Sequence, residues 1–128
     1  MSIRIVQLGT PRKPGEGLRI GTVRRPPRGV PKSDFAKRDY YDVWFPNLSP
    51  SADLVKEALH AEDAKAWAAF RRKFRHEMSA PDRGRELDVL AALSHQTNLS
   101  IGCYCDDESR CHRSVLRELL VERGADVV

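Results

Sequence analysis

The stretch Cys103-Tyr104-Cys105-Asp106-Asp107-Glu108-Ser109-Arg110-Cys111-His112-Arg113 holds every cysteine of the chain, beside a histidine and two arginines. Thiols and an imidazole at this spacing allow four kinds of chemistry. Cys111 falls at the expected first turn of a helix, where unpaired N–H groups, the helix dipole and Arg110, His112 and Arg113 favour a thiolate. That makes Cys111 a candidate nucleophile, with His112 as its acid or base. The same N–H groups, with His112 and Arg113, form a candidate anion or phosphate site that asks nothing of the thiols, and Ser109 is placed to cap the helix there. Cys103, Cys105, Cys111 and His112 are ligand types that suit tetrahedral zinc, although Cys-x-Cys-x5-Cys-His is not a common zinc spacing. Cysteines are also small core residues, so a purely structural cluster is the fourth reading. A phosphatase-type loop is excluded, because it needs Cys and Arg six apart and the residues six beyond Cys103 and Cys105 are Ser109 and Cys111. Asp106, Asp107 and Glu108 would repel an anion unless they turn outward, and they are expected to form a solvated loop tip.

The elements around this segment explain its position. Asn98 to Cys105 reads as a strand covered on both faces, and Cys111 to Arg123 as a helix with Val115, Leu116, Leu119 and Leu120 inward and Gly124 as its stop. The segment is therefore a strand-to-helix loop, the place where open α/β sheets keep their ligand sites. Upstream, Ile3–Leu8 and Leu18–Val23 read as strands. The glycines at 15, 17 and 21 precede a strand and open no helix, which rules out a dinucleotide fingerprint. Residues 24–32 carry three prolines and form a stiff basic loop. Ser33 can cap a short helix over 34–38, and 39–45 is an aromatic-rich strand or core anchor. Ser49 with Pro50 starts a helix, Asp63 starts a second with Trp67, Phe70, Phe74 and Met78 as a core stripe, and Pro81 starts a third. Ala125 to Val128 can add a last short parallel strand. The expected fold is α/β: a single compact Rossmann-like domain over 1–128, with a small, mostly parallel sheet and helices packed on it.

Charge points to the partner. The net charge is +4, but residues 1–39 carry ten Lys/Arg against three Asp/Glu, or +7, which leaves −3 for the remainder. A basic loop of this kind attracts phosphate. The preferred expectation is thus an anion site at the start of the last helix, with Arg25 and Arg28 reaching over from the loop and His112 and Arg113 beneath. Its ligand would be a phosphate-bearing small molecule or nucleic acid, with no cofactor and no metal required. No apolar run approaches the roughly 20 residues that span a bilayer, so no membrane partner is expected. The N-terminal apolar stretch is too short for a secretory signal, and three clustered cysteines do not make a disulfide framework. A cytoplasmic setting with reduced thiols follows.

Several stretches together resemble a known family. Arg28-Gly29-Val30 after the second strand, Trp44-Phe45-Pro46-Asn47-Leu48-Ser49-Pro50-Ser51, Phe70 with Phe74 and Glu77, and the closing Cys105 to Leu120 stand in the order found in the domain of unknown function 488 family. The likeness covers most of the chain and is nearest its YeaO-like branch. It implies a compact α/β domain of Rossmann-like layering and brings no established activity. Where YeaO-like members read Asp-Arg-Leu-Trp-Pro-Arg-Gly, this chain has Arg24-Arg25-Pro26-Pro27-Arg28-Gly29, without the acid and the Trp. Its Cys-x5-Cys-His-Arg ending is similar to the wider family.

Overall fold

The computed structural model describes residues 1–128. Four parallel strands form one sheet in the order β1-β4-β2-β3, with β1 at Ile3–Gln7, β2 at Leu18–Gly21, β3 at Val43–Trp44 and β4 at Leu99–Cys103. Strand β4 is central, pairing with β1 and β2 so that Ile5, Ile101 and Ile20 stand in one row across the sheet. All five of its residues are buried, which explains the near-continuous apolar character of this stretch. Strand β3 is a two-residue edge with both side chains exposed. Beyond β1, Val127 makes a single parallel bridge to Ile3, so the expected last strand shrinks to one pairing.

Four helices pack on this sheet: α1 (Ala52–Leu59), α2 (Ala64–Met78), α3 (Pro81–Leu93) and α4 (His112–Glu122). The stripe on α2 is core, with Phe70, Phe74 and Met78 buried and Trp67 packed against them. These residues join Ile3, Ile20, Ile101, Leu87, Leu90, Val115, Leu116 and Leu120 in the main cluster. A smaller cluster of Leu8, Val23, Tyr41, Cys103 and Cys111 lies at the carboxyl ends of the strands. No helix is long and apolar enough to cross a membrane.

Several boundaries differ from the expected ones, and three of them bear on the site or its supports. Helix α1 is capped by Ser51, whose side chain accepts from the Leu54 N–H, while the Ser49 hydroxyl donates to the Pro50 carbonyl. The helix expected over 34–38 is a 3-10 turn at Lys32–Asp34 followed by turns. It closes at Asp39, which sits at φ 63°, in the left-handed region that ends helical winding. Strand β4 stops at Cys103, so Cys105 belongs to the loop.

Candidate functional site

Cys103 ends the central strand, and Cys111 is the N-cap residue of α4, with His112 as its first helical residue. The loop between them is folded tightly. Asp107 accepts from the Ser109 N–H and hydroxyl, and caps a 3-10 turn at Glu108–Arg110. Ser109 therefore serves the loop, and no side chain caps α4. The two bonds from Ser109 hold the Asp107 carboxyl below the usual carboxylate range. Glu108 turns away to a bidentate pair with Arg117, at 2.7 and 3.0 Å.

This fold brings the three thiols and the imidazole together. The ligand atoms of Cys103, Cys111 and His112 all lie within 4.8 Å of one another. Cys103 Sγ and Cys105 Sγ are 3.8 Å apart, and Cys111 Sγ is 3.8 Å from His112 Nδ1. His112 Nε2 lies 2.6 Å from the Thr22 carbonyl oxygen. A carbonyl only accepts, so the proton sits on Nε2, and Nδ1 faces the sulfurs. The ring edge also packs on Phe74, which fixes its tilt. Arg113 is 3% exposed: its Nε donates to Cys111 Sγ at 3.4 Å and its Nη2 to the Cys105 carbonyl at 2.6 Å. Hydrogen bonds from the Cys103 and Cys105 thiols, then His112, pull the Cys111 thiol down despite its burial. Hydrogen bonding to Cys105 and Cys111, with burial, pushes Cys103 up. Cys105 is pulled down by Cys103 but raised more by Cys111 and burial, and ends above the ordinary thiol range.

The cluster forms part of the floor of a cleft of 680 Å³ outside the carboxyl ends of the strands. Cys103, Cys105, Cys111 and His112 all line it. Arg25 and Arg28 line it too, while Arg113 and Ser109 do not. The basic loop is pinned at three points: Trp44 Nε1 donates to the Val23 carbonyl, Arg24 to the Ser49 and Pro50 carbonyls, and the Tyr104 hydroxyl to the Arg25 carbonyl. The prolines stiffen it and these bonds place it, so the exposed Arg25 and Arg28 side chains project from a fixed backbone. Three further cations complete the lining: Arg24, Lys56 of α1, and Arg110, whose guanidinium stands 5.8 Å from the Trp67 ring centroid. None of the lining residues is acidic. Tyr40, Val55, Leu59, Phe70 and Tyr104 supply apolar wall.

Local sequence pattern does not mark Arg24, Lys56, Tyr40, Tyr104 or Thr22 as site residues, and it marks Arg110 only as a charge beside Cys111, not as part of the cleft wall. Lys56 was accessible in principle, because it follows Val55 on a helix whose apolar face continues into the exposed Leu59. Thr22 and Tyr104 act across 90 and 79 residues of chain, and no local pattern marks such contacts.

A parallel α/β sheet with a sulfur–imidazole cluster at the exit of its central strand, under a basic cleft, defines the class of protein. The chain belongs to the DUF488 family: the family model DUF488-N3a, described as the active DUF488-N3 subclade, matches residues 3–124. No curated protein and no solved structure matches it.

Proposed function

We propose that the cleft binds a phosphate-bearing ligand with an apolar or aromatic body. One observation carries this reading: five cations, Arg24, Arg25, Arg28, Lys56 and Arg110, line a cleft that contains no carboxylate. Like-signed charges focused between apolar walls raise the local concentration of anions. Its 680 Å³ suits a small molecule better than a duplex. Arginine forks match phosphate oxygens, and the phosphate sits at the rim between Arg25, Arg28 and Arg110 while the apolar body rests on Tyr40 and Tyr104. Arg113 has a supporting role, since it is buried and its Nε and Nη2 are directed to Cys111 and Cys105. A reducing, cytoplasmic setting fits three clustered free thiols.

The test is titration of adenosine monophosphate and of a 5′-phosphorylated single-stranded oligonucleotide at low salt, followed by the same titrations on the Arg25→Ala/Arg28→Ala double variant. The double variant should bind at least about tenfold more weakly and flatten the oligonucleotide's salt dependence by about 1.4 in log–log slope. Unchanged binding in the variant, or no binding of either probe by the wild type, defeats the reading.

A second reading is favoured by the position of Cys111 between Arg113 Nε and His112 Nδ1. It is a thiolate enzyme in which Cys111 Sγ attacks an electrophilic centre of the substrate, the bond to the leaving group breaks, and His112 returns the thiol's proton to that group. The description of the subclade as active accords with it.

A further inference from the structure

The geometry points to a zinc site on the cleft floor, with Cys103, Cys105, Cys111 and His112 Nδ1 as its four ligands. This inference does not depend on which ligand the cleft takes.

Two of the ligand separations are those a tetrahedral ion needs, and the triad of Cys103, Cys111 and His112 keeps all of its ligand atoms within 4.8 Å. Zn–S bonds of about 2.3 Å and Zn–N bonds of about 2.0 Å place sulfurs roughly 3.8 Å from each other and roughly 3.6 Å from the nitrogen. Cys103 Sγ to Cys105 Sγ is 3.8 Å, and Cys111 Sγ to His112 Nδ1 is 3.8 Å. Cys103, Cys111 and His112 form the compact, buried triad, and Cys105 is the exposed fourth ligand on the solvent side.

The surroundings have the features of a metal's outer shell. A metal-bound imidazole almost always gives its other N–H to a carbonyl or carboxylate, which fixes the tautomer and aims the lone pair. His112 does this through Thr22, at 2.6 Å. Arg113 bonds Cys111 Sγ and the Cys105 carbonyl at once, so it fixes two ligand positions and places a positive charge beside the thiolates. Three thiolates, a neutral imidazole and a divalent ion sum to −1, which Arg113 offsets. Thiolate-rich sets select zinc over magnesium or calcium. Binding forms three Zn–S bonds and one Zn–N bond, and the thiols release up to three protons to solvent.

The unusual ligand spacing has a structural cause. Cys103 and Cys105 leave the end of a strand, and the Asp107-capped turn returns the chain so that Cys111 and His112 re-enter from the helix side. Two elements converge on one point, and the ligands are not held by a single knuckle.

The test uses the full chain, expressed without an affinity tag and purified without chelator or immobilised metal. Elemental analysis should find zinc at close to one per chain. After stripping under reducing conditions, cobalt(II) titration should develop a sulfur-to-metal charge-transfer band that zinc abolishes. Cys103→Ser and Cys111→Ser should each weaken cobalt binding by more than about tenfold, as should Cys105→Ser. Should these variants fail to fold, the wild type still decides: zinc should slow iodoacetamide labelling of all three thiols at least about tenfold, since bound thiolates are masked, and chelator should restore it. A folded, zinc-free protein with no charge-transfer band overturns the inference. So does rapid, selective labelling of Cys111 that zinc leaves unchanged, which would favour the thiolate enzyme. Adenosine monophosphate titration on stripped and zinc-loaded protein keeps the two proposals apart. Phosphate binding without any zinc binding rejects the metal alone, and zinc binding without phosphate binding supports the metal while rejecting the cleft reading.

Discussion

Glu16→Gln should be among the most damaging single-atom changes available in this chain. Glu16 and Arg19 are 3% and 1% exposed, so the pair is withdrawn from water. The Glu16 carboxylate accepts from Arg19 Nε at 2.6 Å and Nη2 at 3.1 Å, and from the Lys13 N–H at 3.0 Å. Arg19 Nη1 donates onward to the Thr10 and Asp39 carbonyls at 2.9 and 2.5 Å. The pair thereby ties the loop after β1 to the segment carrying Tyr40 and Tyr41. Glutamine keeps one acceptor oxygen and turns an amide N–H₂ toward groups that are themselves donors. It loses two charge-assisted bonds and leaves a buried guanidinium without a counter-charge, a cost of about 3 kcal/mol. For a domain of this size that is roughly a 10 °C fall in melting temperature. Urea unfolding followed by circular dichroism measures it, and a loss under about 1 kcal/mol would show that water reaches the pair. The pH dependence gives an independent check. Burial pushes the Glu16 carboxyl up, but the bonds from Arg19 and Lys13 and the charge of Arg19 outweigh it, so its pKa ends lowered. A carboxyl lowered in the folded state contributes stability that is fully present above the unfolded value of about 4.3 and is lost as pH falls through the folded value. Glu16→Gln should therefore flatten the acid limb of the wild-type stability curve, and an unaltered limb would refute the assignment.

Gly102→Ala should destabilise the protein by about 1–3 kcal/mol, because the added methyl in the central strand would sit 2.6 Å from Leu8 Cδ2 and 2.9 Å from the Val6 carbonyl. Denaturant unfolding checks this, and a change within about 0.5 kcal/mol would mean that β1 and β4 can part locally. Tyr41→Phe should leave stability unchanged or raise it by about 1 kcal/mol, since the Tyr41 hydroxyl is buried with no hydrogen-bond partner. A clear loss in the same assay would reveal a partner that the hydroxyl finds in solution.

How much of this could be read from the sequence depended on the range of the interaction. The α2 stripe was legible because burial of one helix face imposes a period that Trp67, Phe70, Phe74 and Met78 display. The α/β class was legible because the covered strand β4 and the amphipathic α4 flank the cysteine loop. The Glu16–Arg19 pair was not, since a charged residue between two glycines looks like a solvated turn and only the folded loop buries it. The start of α1 was ambiguous because Ser49 and Ser51 both precede it, and it is Ser51 whose hydroxyl accepts the Leu54 N–H.

Arg113 shows most clearly where local reasoning about the site stops. By sequence it stands beside His112 at a helix start, which is where an anion-binding arginine belongs. Yet the first turn of α4 begins one residue after a buried cysteine, and the side chain folds back over the loop that it follows. Its reach brings Nη2 to the Cys105 carbonyl and Nε to Cys111 Sγ, so the guanidinium is enclosed and its direction fixed. Arg110, three residues earlier, turns its side chain out of the same loop, leans on Trp67 and faces the cleft. The two arginines therefore divide the work by burial. An enclosed guanidinium beside sulfur stabilises the thiolate form of Cys111, whereas the exposed one is the better placed of the two for the proposed phosphate.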